Sequence, residues 1–207
     1  MKVAVIGATG RTGRLVVDEA RRQGHEVIAC TSRPGLLADA DELTTVVEGD
    51  ASDPATLRRG LAGAEAVIST VPGGNRAHPH AAEEVTTAIV SAMREYDVPR
   101  LVVTSAYPVV GDRPRLPMWI LRRLLRTAYS DVARMEQVVA GSNLEWTIAR
   151  LNRLIDGPGV GALRASPELL DHPAPISRRD AATFLVGLLK SPGAVRNALN
   201  ITSAARA

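Results

Sequence analysis

The feature that most constrains the fold is a glycine-rich turn that follows a short apolar run near the start of the chain. The run covers residues 3–6 (VAVI), and residues 7–13 read GATGRTG. We expect Gly7 to permit a sharp turn, Gly10 to let the backbone approach a ligand, and Gly13 to let a helix pack against the strand. A strand, a tight turn and a helix in this order direct free backbone N–H groups and the positive end of a helix dipole to one point. The sequence therefore predicts a site for a phosphate or pyrophosphate group.

Three glycines also occur in ordinary turns before a helix, so the surrounding sequence decides between the two interpretations. An apolar stripe suitable for packing follows the turn at Leu15, Val16, Val17 and Ala20. Gly24 is a suitable helix end. This context favours a bound dinucleotide, with Thr9, Arg11 and Thr12 of the turn contributing contacts beside the three glycines.

Length and composition limit the class of protein. A chain of 207 residues predicts one domain over residues 1–207. The net charge of +3 and the small number of aromatic residues (two Trp, three Tyr, one Phe) disfavour nucleic acid as a partner. No apolar run reaches the ~18 residues needed to cross a bilayer, and no signal peptide precedes the first strand. We therefore expect a cytoplasmic monomer or homodimer without a membrane partner, whose single cysteine, Cys30, is a buried reduced thiol.

Strand-like and helix-like segments alternate along the whole chain. The predicted strands cover residues 2–6, 26–31, 43–48, 65–71, 101–105, 146–151 and 198–202. The first predicted helix follows the glycine turn. The second follows a cap at residues 52–54 and ends at Gly60 and Gly63. The other predicted helices cover residues 79–96, 130–140 and 181–190. This alternation predicts an α/β fold, a doubly wound parallel sheet with helices on both faces. Ligands of such sheets bind beyond the carboxyl ends of the strands.

The end of the second strand indicates which dinucleotide binds. No Asp or Glu that could accept hydrogen bonds from ribose hydroxyls lies between Val27 and Ala38, whereas Arg33 suits a 2′-phosphate. One hydrogen bond to a charged group would favour NADP(H) over NAD(H) by roughly tenfold to hundredfold. Thr31 and Ser32 are positioned to add hydroxyl contacts. The alternative is that Arg33 is a solvated surface arginine.

The ends of the third and fourth strands predict contacts with the rest of the cofactor. Asp50, followed by Ala51, is placed to accept a hydrogen bond from the adenine amino group, or else serves only as a turn or cap residue. Thr70, Val71 and Pro72 lie at the end of the fourth strand. These small or apolar residues would let the middle of the cofactor lie against the backbone.

The fifth and sixth strands end in residues that we place near the nicotinamide. Ser105 has a hydroxyl that we expect to be free to bond a substrate carbonyl or the carboxamide; the alternative is a turn serine. Arg150 is a candidate cofactor contact, and the alternative is that it forms a structural ion pair.

The chain resembles the atypical short-chain dehydrogenase/reductases, in particular the NmrA-like and biliverdin reductase B or flavin reductase-like group. The matching pieces are residues 7–13, 32–33, 49–50, 104–106, 129–131 leading into 134–136, 144–150 and 176–181. The resemblance spans nearly the whole chain. It implies a Rossmann fold that binds NADPH or NADH, with a small substrate lobe that we assign to residues 107–128 and 152–180.

The chain departs from the catalytic pattern of typical members of that superfamily, which use Tyr-x-x-x-Lys. The residues four positions after Tyr96, Tyr107 and Tyr129 are Arg100, Gly111 and Ala133. The lysine that often follows Tyr-x-Asp in the atypical group is here Val132. Because arginine does not usefully exchange its proton, a reaction that needs a tuned tyrosine is disfavoured. Ser105 and Tyr129 remain as candidate catalytic residues.

Three functions stay compatible with these residues. The first is an NADPH-dependent reductase of a planar acceptor, such as a flavin, quinone or tetrapyrrole, that needs little acid catalysis. The second is a non-catalytic sensor of NADP redox state that acts through a protein partner. The third is an interaction module that has lost cofactor binding.

Two further segments have alternative interpretations. The sequence His78-Pro79-His80 has no cysteine or acidic cluster that completes a metal site, so a loop at the start of a helix is expected and no metal is assigned. The arginine-rich apolar residues 113–126 predict a lid-like helix with Met118 and Trp119 lining a substrate pocket and the arginines in solvent. The alternative is a helix that lies on a membrane surface.

Overall fold

The computed structural model describes residues 1–37, 44–111, 115–159 and 161–204. The strands are β1 (Lys2–Ile6), β2 (Glu26–Thr31), β3 (Thr44–Glu48), β4 (Ala66–Ser69), β5 (Arg100–Ala106), β6 (Glu145–Leu151), β7 (Leu154–Ile155), β8 (Leu163–Ser166), β9 (Ile176–Ser177) and β10 (Asn197–Ser203). The helices are α1 (Gly13–Arg22), α2 (Pro54–Leu61), α3 (Ala81–Glu95), α4 (Arg115–Leu124), α5 (Arg126–Ala140) and α6 (Arg178–Leu188). Short 3-10 turns follow β2, β5 and α6.

The strands form one eight-stranded sheet in the order β3-β2-β1-β4-β5-β6-β10-β8, beside a two-stranded sheet of β7 and β9. Every pair in the large sheet is parallel except β10 with β8. The strand order reverses between β1 and β4, so the crevice for a ligand lies at their carboxyl ends. The predicted doubly wound α/β fold is confirmed.

Helices cover both faces of the sheet, and β1 shows why. Its side chains alternate, so that Val3 and Val5 join the core beneath α1 and α6, whereas Ala4 and Ile6 join the core beneath α2, α3 and α5. All four side chains are fully buried. A strand buried on both faces reads as a continuous apolar run, which is the pattern of residues 3–6.

Some predicted boundaries are wrong for identifiable reasons. Gly60 does not end α2 but lies inside it. The residue there is glycine because any side chain would overlap the buried Sγ of Cys30. Helix α5 begins four residues before the predicted start at residue 130. Helix α6 begins at Arg178, where the Ser177 hydroxyl accepts a hydrogen bond from the backbone N–H of Asp180 at 3.2 Å. Strands β7, β8 and β9 were not predicted, since they are short and β8 is largely exposed.

Among the described helices, none is both long enough and apolar enough to cross a membrane.

Candidate functional site

The glycine turn has the geometry that its sequence predicts. Gly7 has a φ of +79°, and its N–H and that of Ala8 donate to the Cys30 carbonyl of β2, each at 3.2 Å. A side chain at Gly13 would overlap the Gly7 carbonyl and lie 2.9 Å from Thr70 Oγ1. The conformational roles of Gly7 and Gly13 are therefore confirmed, and the turn leaves a cradle that side chains would fill.

Hydroxyl groups fix the turn against the neighbouring strands. The Thr9 and Thr31 hydroxyls share a hydrogen bond of 2.5 Å. The Thr70 hydroxyl donates to the carbonyls of Ile6 and Gly7 at 3.1 and 3.3 Å. These contacts hold the cradle from both sides, so a phosphate would meet backbone N–H groups that are already in place.

A first cleft of about 270 Å³ opens beside the turn. Its lining includes most of the residues predicted to bind the cofactor: Gly7, Thr9, Gly10, Arg33, Asp50, Ala51, Thr70, Val71 and Pro72, together with Thr31 and Ser32. Within the described part of the chain, the exposed guanidinium of Arg33 forms no hydrogen bond or ion pair. The Thr31 hydroxyl, in contrast, is engaged with Thr9 and with the backbone N–H of Arg33 at 3.0 Å. Arg33 is thus a cation at the cleft edge that has no competing partner among these residues.

Asp50 combines the two interpretations offered by the sequence. Its Oδ1 accepts hydrogen bonds from the backbone N–H and the hydroxyl of Ser52, both at 2.8 Å. These bonds hold the pKa of Asp50 below its usual value. Asp50 is therefore a charged turn residue that also lines the cleft, and its contact with adenine stays a prediction.

A second cleft of about 330 Å³ continues from the first, because Thr70, Val71 and Pro72 line both. Its other described lining residues are Thr12, Gly73, Thr104, Ser105, Ala106, Val132, Leu151, Asn152, Leu154 and Arg178. This described lining holds no tyrosine, lysine or histidine, and Arg178 is its one ionisable residue. The two clefts form a groove from Arg33 to Ser105, along the carboxyl ends of the strands.

Ser105, Glu136 and Arg150 form a network at the end of this groove. The Ser105 hydroxyl donates to Glu136 Oε1, so its hydrogen is not free for a substrate carbonyl as the sequence suggested. Arg150 donates two hydrogen bonds to the same carboxylate, from Nε at 2.9 Å and from a terminal nitrogen at 2.6 Å. Arg150 is therefore in the structural pair named as the alternative, and it is not among the described lining residues of either cleft. Its contact with a cofactor stays a prediction.

Sequence reasoning missed Glu136. It is 7% exposed, and a buried carboxylate requires partners. The signal available in the sequence was its place in the matching segment 134–136, but only the fold brings it to Ser105 and Arg150.

Tyr129 lies on α5 and is not among the described lining residues of either cleft. Burial raises its pKa, against a smaller opposite effect of Arg122. A phenol with a raised pKa is a weaker acid. The geometry therefore does not favour Tyr129 as a catalytic residue.

Asp131 of the Tyr-x-Asp segment is structural. Its fully buried carboxylate accepts hydrogen bonds from the backbone N–H groups of Gly74, Ala82 and Glu83 at 2.7, 2.8 and 3.1 Å. Asp131 thereby caps α3 from a neighbouring helix and fixes the loop that ends the second cleft.

The same carboxylate belongs to a group whose ligand atoms lie within 4.8 Å of one another, namely His80, Glu83 and Asp131. The donor set fits a helix cap better than a cation. The Asp131 oxygens already accept three N–H groups, and Arg134 Nε donates to Glu83 at 2.6 Å. His80 and its neighbours therefore belong to the start of α3.

Helix α4 differs from the predicted lid. Trp119 is 61% exposed and is not among the described lining residues of either cleft. Arg122 is not simply solvated, because its guanidinium donates to the carbonyls of Pro108 and Val109 at 2.7 and 3.2 Å. The side chain of Met118 lies outside the described residues.

The strand order, the glycine turn between β1 and α1, and the groove along the carboxyl ends of the strands are those of a Rossmann fold. Residues 7–192 match the NAD(P)H-binding family, and the chain belongs to that family. This match confirms the NAD(P)-binding domain that the sequence motifs indicate.

Three distant relatives align with nearly the whole chain. UPF0659 protein YMR090W from Saccharomyces cerevisiae is 25% identical over 216 aligned positions, which cover 94% of this chain and 89% of the yeast protein. A wide-type short-chain dehydrogenase/reductase from Veillonella parvula, solved in complex with NADP, has a TM-score of 0.85 at 19% identity and covers 99% of this chain and 95% of its own. ChuY, an anaerobillin reductase from Escherichia coli O157:H7, has a TM-score of 0.82 at 16% identity and covers 100% and 99%. The two structures show that the fold is shared.

Proposed function

We propose that the protein is an NADPH-preferring reductase that transfers a hydride to a planar acceptor such as a flavin, a quinone or a tetrapyrrole. One observation carries the proposal. A single groove joins Arg33, a cation with no partner among the described residues, to a cleft at Ser105 whose described lining contains no tyrosine, lysine or histidine. An acceptor reduced in this cleft must take its proton from solvent and not from one of these side chains, as a conjugated planar acceptor can.

The residues of the groove have distinct roles in this proposal. The glycine cradle holds the pyrophosphate, and Arg33 contacts the 2′-phosphate. When bound, NADPH supplies a hydride from C4 of its nicotinamide, and the acceptor takes a proton from solvent. Positioning of the acceptor against the nicotinamide in the second cleft would then account for most of the rate enhancement.

Ser105 acts as a hydrogen-bond acceptor in this scheme. Because its only hydrogen points to Glu136, it offers lone pairs to the cleft. A lone pair suits an N–H donor, such as the carboxamide of the nicotinamide. Glu136 and Arg150 are positioning residues, since they fix the orientation of that hydroxyl.

Two solved structures with the same fold support the proposal. One is an anaerobillin reductase, and the other contains NADP. The test is steady-state oxidation of NADPH with riboflavin, a soluble quinone and a linear tetrapyrrole. We expect at least one acceptor to give a rate proportional to protein concentration. No acceptor above the background rate would contradict the reductase proposal.

A matched pair of variants shows whether the rate depends on the cradle. In Gly10→Ala, the new methyl group lies 3.1 Å from the Gly7 carbonyl, at the surface where the pyrophosphate would approach. In Gly193→Ala, nothing lies within 4 Å of the new group. We expect the first variant to lose activity and the second to keep it.

The second candidate function is a sensor of NADP redox state. The observation that favours it is the apolar surface on and after α4, where Trp119 is 61% and Leu124 76% exposed, which suits a protein partner. A sensor would bind NADP⁺ and NADPH with different affinities and retain a partner in one state. Equal affinities without a partner would exclude it.

A further inference from the structure

A third cavity, of about 510 Å³, lies between the first turns of α1 and α6. We call it the arginine cavity. Its described lining includes four arginines (Arg11, Arg14, Arg178, Arg179) and two aspartates (Asp18, Asp156), which leaves an excess of two positive charges. A concave surface with such an excess attracts an anion.

The arginines are not balanced within the described part of the chain. Asp156 pairs with Arg11 and, at 2.8 Å, with Arg178. Arg14 and Arg179 form no hydrogen bond or ion pair with any described residue. Two guanidinium groups therefore line the cavity with no donor engaged by a described residue, and guanidinium donors match phosphate and carboxylate oxygens.

The positions of these arginines on the helices support the same conclusion. Arg14 lies in the first turn of α1, which contains no acidic residue, and Arg178 and Arg179 open α6. Cations at the positive end of a helix dipole are unfavourable, whereas an anion there is favourable. An anion beside the start of α1, which also has no side-chain cap, would interact favourably with its dipole and with the guanidinium groups; α6 already has the Ser177 cap and Asp180 in its first turn.

The arginine cavity adjoins the second cleft, because Arg178 lines both. A planar molecule beside Ser105 in the second cleft can thus direct a substituent past Arg178. We propose that the arginine cavity binds the anionic substituent, a phosphate ester or carboxylate, of the acceptor that is reduced in the second cleft; this proposal rests on the proposed function. In the absence of the anion, Asp156 forms ion pairs with Arg11 and Arg178, and the bound anion takes the place of its carboxylate.

Flavin mononucleotide (FMN) and riboflavin test the proposal, because they differ by one phosphate ester. We expect FMN to have the lower KM, with a similar kcat. The double variant Arg14→Gln/Arg179→Gln should raise the KM for FMN about tenfold, as expected when two charge-assisted hydrogen bonds of partly exposed groups are lost. The KM for riboflavin and the kcat for both should not change. Arg58→Gln/Arg94→Gln, which removes two exposed arginines elsewhere, is the matched control.

Asp156→Asn gives an effect of opposite sign. The variant frees Arg11 and Arg178, so we expect it to lower the KM for FMN and leave riboflavin unchanged. A purely structural role of the Asp156 pairs would instead affect both flavins alike, and that result would contradict the exchange of Asp156 for the anion.

Equilibrium binding separates this proposal from the proposed function. Quenching of flavin fluorescence by NADP⁺-saturated protein reports affinity without turnover. Tighter binding of FMN than of riboflavin, lost in Arg14→Gln/Arg179→Gln, supports the cavity even where NADPH is not oxidised. Equal binding of the two flavins, or binding of neither, overturns it. A weaker affinity of the double variant for NADPH, with the FMN preference intact, would assign the arginines to the cofactor and also overturn it.

Discussion

Replacement of Arg33 by alanine tests the cofactor preference. The guanidinium lies exposed at the edge of the first cleft and has no hydrogen bond or ion pair with the described residues. Its backbone N–H donates to the Thr31 hydroxyl at 3.0 Å and its carbonyl accepts from the backbone N–H of Leu36 at 3.2 Å, and alanine keeps both bonds. Arg33→Ala therefore deletes no contact that stabilises the described fold, and we expect the free energy of unfolding to stay unchanged.

The expected loss of affinity follows from the single charged contact. A hydrogen bond to a charged group contributes about 1.5–3 kcal/mol, and each ~1.4 kcal/mol is a factor of ten in Kd. We expect the Kd for NADPH to rise about tenfold to hundredfold, nearer tenfold because the site is open to solvent. NADH has no 2′-phosphate, so its Kd should not change. Salt should weaken NADPH binding to the unmodified protein more than to the variant.

The assay is a titration of each cofactor, followed by its fluorescence, against the unmodified protein, Arg33→Ala and Arg94→Ala. Arg94 is an exposed arginine of α3, so its removal makes the same change in net charge at a remote place. An equal loss of affinity for NADPH and NADH in Arg33→Ala would refute the assignment of the 2′-phosphate, as would no loss for NADPH.

Three further predictions concern buried groups. Glu136→Gln should destabilise the fold by about 3 kcal/mol, because it leaves the partly buried Arg150 without its carboxylate; urea unfolding measures this, and a loss under ~1 kcal/mol would contradict it. Burial raises the pKa of the Cys30 thiol to about 12, so Ellman's reagent should label it only after unfolding, and rapid labelling of the native protein would show that it is accessible. Burial also lowers the pKa of His25 below 6.5, so the unfolded chain binds more protons and stability should fall as the pH drops below that value. Urea unfolding across this pH range should show a smaller fall for His25→Gln, and an identical fall would argue against the effect.

Much of the fold was predictable, because it rests on local signals. Residues 3–6 are a continuous apolar run since β1 is buried on both faces, and such runs mark most strands of the large sheet. The glycine turn was predictable for the same reason, because each glycine is needed where a side chain would clash with atoms of the turn itself. Gly60 shows the limit of this reasoning. Its small size serves Cys30, which lies 30 residues earlier, and no local rule distinguishes that role from a helix end.

The site was predictable only in part. Strand ends indicated Arg33, Asp50 and Ser105, because topology alone brings them to one edge of the sheet. The partners of these residues were not predictable. The bonds of Glu136 to Ser105 and Arg150 join residues 31 and 14 positions apart, and their existence depends on how α5 packs against β5 and β6.

The proposed function requires that a hydride leaves NADPH within this groove. Its most direct test is a single-turnover experiment in which protein saturated with NADPH is mixed with FMN without oxygen. NADPH is deuterated at either the 4R or the 4S position. We expect the absorbance of NADPH and of oxidised flavin to fall at one rate, and only one of the two labels to slow this rate and move to the acceptor. Bound NADPH that persists unchanged beside bound flavin would show that no hydride is transferred in the groove.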